Sequence, residues 1–155
     1  LFDVLHHIEF PVRFLDEAAR GLAPGGRVLL SEPAITPLSN LFYTHLHPEP
    51  VDAEADVFVA GTPNPNRDPF DANQAIPTLM FLKQRERFRD RFPIFDIVDV
   101  RYHSLLAYPL TGGFRKWTVI PATIVPAMLS LESVFMPLLG RLMAFRLIVT
   151  IERRN

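Results

Sequence analysis

The stretch Pro11-Val12-Arg13-Phe14-Leu15-Asp16-Glu17-Ala18-Ala19-Arg20-Gly21-Leu22-Ala23-Pro24-Gly25-Gly26-Arg27-Val28-Leu29-Leu30-Ser31 decides how the fold is read. Pro11 suits a first helical position, where its missing N–H is not needed. Val12, Leu15, Ala19 and Leu22 then recur at spacings of three and four, on one helix face, while Arg13, Asp16, Glu17 and Arg20 point elsewhere. Pro24 and Gly25 suit the centre of a type II turn, whose second central residue needs positive φ. Gly26 lets the chain enter the next strand without a Cβ clash. Residues 27–31 are a short β-rich run, and residues 1–8 read as the end of a buried strand entering a loop. Strand end, helix, tight turn, strand is half of a βαβ unit and predicts a parallel sheet.

Downstream, residues 32–77 hold eight prolines and no sustained periodicity, so they read as a long irregular excursion with short helices at most. The aromatics of residues 41–47 and the apolar residues 57–60 supply surface to bury and argue against disorder. Residues 78–92 predict a helix with Phe81, Phe88 and Phe92 on one side and Lys83, Arg85, Arg87, Arg89 and Arg91 scattered over a solvated face. Residues 95–102 and 146–152 read as strands. Between them, residues 114–145 form a helical insertion whose apolar part, 128–145, is kinked or broken at Pro137.

The 155 residues carry 16 Lys+Arg against 17 Asp+Glu, which gives no bulk attraction for nucleic acid, and no nucleic-acid partner is expected. The lack of cysteine excludes a disulfide scaffold, a thiol nucleophile and a Cys-ligated metal. The uncharged run 117–131 is shorter than the roughly 18 to 20 residues of a membrane span and contains Pro121 and Pro126, so an integral membrane protein is not expected. The first residue is Leu1 and no polar leader precedes the apolar start, so the chain reads as a piece of a longer protein.

Phe2-Asp3-Val4-Leu5-His6-His7-Ile8, the helix and turn from Phe14 to Arg27, and the run from Val28 to Pro33 together resemble the middle of class I S-adenosylmethionine-dependent methyltransferases. In that family the "LHH" element follows the fourth strand of a seven-stranded sheet, and the helix, Pro-Gly-Gly turn and fifth strand come next. The resemblance implies an α/β, Rossmann-like class I methyltransferase sheet, truncated, with parallel strands, a final antiparallel strand pair and the helical insertion. Residues 1–155 would be the C-terminal portion of one such domain. It also implies a cytoplasmic enzyme that moves a methyl group from S-adenosylmethionine to a small or lipid-like acceptor. The family's glycine-rich loop and ribose-binding acid have no counterpart, so the chain alone is expected to be inactive and to bind the cofactor poorly. The competing readings are a non-catalytic Rossmann-like binding or interaction domain and a Rossmann oxidoreductase.

Ligands of open α/β sheets sit at the carboxyl ends of strands, which makes Phe2, Asp3, Leu5, His6 and His7 the candidate cofactor contacts. Glu32, Tyr43, Asn73 and Gln74 are the candidate substrate residues, although Asn73 and Gln74 could equally cap the next helix. His47 and Glu49 are the candidate catalytic pair: residues 35–46 are short enough to fold back over the strand ends, with Phe42 and Tyr43 as anchors. His47 would take a proton near neutral pH and Glu49 would orient it, or both would only bond loop backbone. His45, His47 and Glu49 would share a face on a strand, as a metal needs, but Pro48 and Pro50 disfavour one, and no metal is assigned. Tyr108 lines the cleft or forms a corner. The apolar insertion would act as a lid, pack as core or make peripheral membrane contact.

Overall fold

The computed structural model describes residues 1–68, 70–113 and 117–155. After a 3₁₀ turn at Leu5–His7 come α1 (Pro11–Gly21), β1 (Arg27–Pro33) and α2 (Pro37–Leu46). Irregular chain leads to a helical run in three pieces: α3 (Ile76–Thr78), a π-helical turn (Leu79–Lys83) and α4 (Arg85–Arg91). Then follow β2 (Phe95–His103), α5 (Ala107–Leu110), a 3₁₀ turn (Ala122–Ile124), α6 (Val125–Met143) and β3 (Arg146–Arg153).

The sheet corrects the expectation of a truncated, parallel-stranded Rossmann-like sheet. It has three strands in the order β1-β3-β2, and both pairings are antiparallel. β1 and β2 run the same way but do not touch, because β3 lies between them and runs against both. Among the described residues, parallel pairing is a single isolated bridge between Phe2 and Ser31, carried by Asp3 N–H to Ser31 O at 2.9 Å and Ser31 N–H to Leu1 O at 3.0 Å. The local rhythm that suggested a parallel sheet is present, but the last strand takes the place beside β1.

One face of the sheet carries the core. Leu30 of β1, Phe95 of β2 and Leu147, Val149 and Ile151 of β3 are buried against Val12 and Leu15 of α1 and against Met80, Phe81 and Phe88 of the helical run. The period-two pattern of β3 and the Phe81, Phe88, Phe92 stripe therefore pack as their spacing requires. Gly25 has φ +76°, as a type II turn demands, and its N–H donates to Arg153 O at 2.8 Å, joining the turn to the end of β3. A Cβ on Gly26 would lie 2.8 Å from Ala23 O.

Three local expectations change. The excursion 32–77 contains the ten-residue helix α2, started by a reciprocal cap in which Ser39 N–H donates to Thr36 Oγ1 and Thr36 N–H to Ser39 Oγ. The helix expected over 78–92 starts at Ile76 and widens to a π-turn before α4. α6 runs unbroken through Pro137. Of the insertion 114–145, residues 114–116 lie outside the described residues.

α6 packs one side on α2, α5 and β2. Its Glu132 is buried and accepts the N–H groups of Leu105 (2.8 Å), Leu106 (2.6 Å) and Ala107 (2.6 Å), satisfying the start of α5. The opposite side exposes Leu131, Val134, Phe135, Leu138 and Leu142 in one stripe. Residues 122–143, with an 18-residue window of mean hydropathy 1.6, are long and apolar enough to cross a membrane by length and composition alone. The charge-free run 117–131 ends at Glu132, midway along that segment, so its length understates the apolar helix.

Candidate functional site

The 3₁₀ turn after the Phe2–Ser31 bridge presents His6 and His7 side by side, their rings 4.2 Å apart. β1 delivers Glu32 beneath them, fully buried. Its carboxylate accepts Val4 N–H (3.0 Å), Leu5 N–H (2.9 Å) and, more weakly, His6 N–H (3.4 Å), and it lies 2.7 Å from His6 Nδ1. A turn at the edge of the sheet would otherwise bury those N–H groups without partners, so Glu32 is first a structural acceptor. It also fixes the His6 ring: the neutral tautomer it selects donates from Nδ1 and turns an Nε2 lone pair outward.

α2 ends at His47, and the chain turns through Pro48 to bring Glu49 opposite. His6 Nε2 lies 3.6 Å from Glu49 Oε2 and His7 Nε2 lies 3.9 Å from Glu49 Oε1. Gln74 Nε2 donates to Glu49, and Gln74 Oε1 and His7 Nδ1 are buried with no hydrogen-bond partner. A cavity of about 230 Å³ opens among Asp3, His6, His7, His47, Glu49 and Tyr108. A second groove, of about 430 Å³ and apolar but for the imidazole of His45, is lined by residues including Leu41, Phe42, Leu46, Pro109 and Leu110. The two have no lining residue in common, but sequence neighbours line them: His47 and Tyr108 face the cavity, Leu46 and Pro109 the groove.

Charge in the cavity is strongly coupled. Burial would push the His6 imidazole down, but Glu32 and Glu49 hold it above the usual histidine value. Burial would push both carboxyls up, yet the bonds to His6 hold Glu32 and Glu49 below the usual carboxylate range, with Leu5 and Val4 N–H adding to the effect at Glu32. Burial pushes the Tyr108 phenol up.

The expected residues divide. His6, His7, His47, Glu49 and Gln74 converge on the cavity with Asp3, and Glu32 supports it from behind. Leu5 is a core residue. Phe2 lies under the Arg146 guanidinium, 5.1 Å from ring centre to Cζ. Tyr43 is buried behind the cavity lining: it donates to Phe145 O at 3.0 Å and its ring packs edge-on against His47, 5.3 Å between centres. Asn73 builds the loop: its Oδ1 accepts Asp52 N–H (2.9 Å) and Ala75 N–H (3.0 Å), an Asx turn ahead of α3, whose N-cap Ala75 has no side-chain cap. His47 Nδ1 accepts Glu49 N–H at 3.3 Å, which places the proton of its neutral ring on Nε2. His45 sits on α2 rather than on a strand, so the spacing considered for His45, His47 and Glu49 does not align them.

Arg146 was not anticipated. It is buried at the start of β3, pairs with Asp3, donates to Ser31 O at 3.1 Å and lies over the Tyr108 ring at 5.3 Å. The available signal was an arginine and an aspartate, each alone in an apolar run, which must pair if both are buried.

Size and donors decide whether these residues suit S-adenosylmethionine. A cavity of about 230 Å³ falls below the roughly 300 Å³ at which small-molecule pockets begin. Its carboxylates are Glu49, bonded to Gln74, and Asp3, paired with Arg146, while Glu32 behind the lining is saturated by backbone and His6. The lining therefore does not fit the whole cofactor; it fits a small polar group. No protein-family profile, curated protein or solved structure matches this chain.

Proposed function

We propose that this chain forms the acceptor side of a methyl-transfer site, and that the acceptor is amphiphilic. The observation that carries the reading is that the sequence neighbours His47 and Leu46, and Tyr108 and Pro109, line a polar cavity and an apolar groove respectively. A polar head fits the cavity, where Gln74 Oε1 accepts from a hydroxyl or amine and fills a vacancy in its own bonding. An apolar tail follows the groove, where burial of hydrocarbon supplies affinity at roughly 25 cal/mol per Å². The chemistry left to these residues is alignment of the acceptor and exclusion of water.

The resemblance of residues 2–33 to methyltransferases supports methyl transfer, with S-adenosylmethionine as donor held by residues other than those lining this cavity. The exposed stripe of α6 supports a peripheral approach to a membrane carrying such an acceptor. The test is incubation of the protein containing this chain with methyl-labelled donor and a panel of hydroxyl- or carboxyl-bearing acceptors of increasing chain length. Label is expected in the amphiphiles, and Leu41→Asp should raise KM for the long acceptors while leaving short ones unchanged. Binding of amphiphiles without transfer would assign a binding module, and transfer confined to hydrophilic acceptors would overturn the reading of the groove.

A further inference from the structure

We propose that His6, His7 and Glu49 bind a divalent transition-metal ion of zinc type on the floor of the cavity. His6, His7 and Glu49 each offer one ligand atom, and the three atoms lie within 4.8 Å of one another. Two histidines and one carboxylate are a donor set such ions accept, with an open position for water or a ligand. Metal bonds of about 2.1 Å in a tetrahedron set neighbouring ligand atoms about 3.4 Å apart. The two histidines lie 3.6 Å and 3.9 Å from different oxygens of Glu49, and all three ligand atoms within 4.8 Å, so the set must draw in by up to about 1.4 Å to close on an ion.

The surroundings favour the same assignment. Glu32 lies 2.7 Å from His6 Nδ1, the carboxylate–histidine arrangement that orients a metal-bound imidazole and raises its basicity. In the neutral ring that contact leaves the Nε2 lone pair on the Glu49 side, available to an ion. Gln74 steadies Glu49 from the other side. The cavity supplies an entry path, and His7 is 24% exposed along it. The neighbouring set Asp3, His6 and Glu32 is the weaker choice, because Glu32 is saturated by backbone N–H groups and Asp3 is paired with Arg146. The site rests on these ligand atoms alone and stands whether or not methyl transfer takes place beside it.

The test needs neither donor nor acceptor. The chain, stripped with chelator, is titrated with Zn²⁺ by calorimetry and with Co²⁺ by visible absorption. One ion per chain is expected, with a Co²⁺ spectrum of four- or five-coordinate form. His7→Ala and Glu49→Gln, at partly exposed positions, should weaken binding by at least about 100-fold with unchanged circular dichroism, and Glu32→Gln by about 10–100-fold. Because His6 is buried and its replacement could unfold the chain, the decision lies with His7 and Glu49. No binding at millimolar Zn²⁺, or binding of several ions that His7→Ala and Glu49→Gln leave unchanged, would overturn the assignment.

Discussion

Glu32→Gln tests the centre of the structure. The wild-type carboxylate is fully buried and holds Val4 N–H, Leu5 N–H and His6 Nδ1 at 3.0, 2.9 and 2.7 Å. Glu32→Ala would leave two buried N–H groups bare, at about 1–3 kcal/mol each, and break a buried pair, whose loss alone costs about 3–5 kcal/mol. Against a total stability of about 5–15 kcal/mol that chain could fail to fold, so the amide is the better probe. Glutamine keeps one oxygen for the backbone donors but loses the charge facing His6, and the expected loss is about 1.5–3 kcal/mol. The pH dependence has a definite sign. His6 is raised in the fold, so its contribution is complete below the ordinary histidine value of 6.5 and is lost as pH rises through its folded value. Glu32 is lowered, so its contribution is complete above the ordinary glutamate value of 4.5 and is lost as pH falls through its folded value. The pair therefore stabilises most between 4.5 and 6.5. Urea denaturation in chelator, from about pH 4 to about pH 9, should show this plateau in the wild type and a flattened alkaline limb in Glu32→Gln, reduced to what Glu49 sustains. Parallel profiles, or a loss under about 0.5 kcal/mol at the plateau, would refute the buried-pair account.

Glu132→Ala should cost about 2–4 kcal/mol, because three N–H groups at the start of α5 lose their acceptor together, and thermal melting would measure it. Gly25→Ala, at φ +76°, should cost about 1–2 kcal/mol by the same measurement; Gly26→Ala should also destabilise, since its Cβ would meet Ala23 O at 2.8 Å. Replacing Leu131, Val134 and Leu138 by serine should abolish co-flotation with phosphatidylcholine vesicles while leaving the urea midpoint nearly unchanged, because these side chains are more than half exposed. Vesicle binding that survives those changes would dismiss α6 as the contact.

Local signals were legible and partner choice was not. The i, i+3, i+4 pattern of Val12, Leu15 and Ala19 and the alternation of Leu147, Val149 and Ile151 report nearest neighbours along the chain, and both are found. Which strand lies beside β1 depends on contacts more than a hundred residues away, and no periodicity records it. α2 was hidden because prolines drew the eye from Thr36, Pro37 and Ser39, a helix start written in cap chemistry. The histidines of the first turn and the His47–Glu49 loop were readable as polar residues near strand ends. That Glu49 faces His6 and His7 while His47 binds its own loop depends on how the Pro48 turn aims each side chain, and residue identity does not encode that aim.

Glu132 has a mechanical consequence. Its Oε1 accepts Leu106 and Ala107 N–H at the start of α5 and its Oε2 accepts Leu105 N–H, and the residue after Ala107 is Tyr108, a wall of the cavity. The outer stripe of α6 and the pocket's side wall are thus two ends of one rigid strut. Anything that pulls on the apolar side of α6 either drags Tyr108 with it or strips three peptide groups of their acceptor, so the surface helix cannot be displaced at no cost to the pocket.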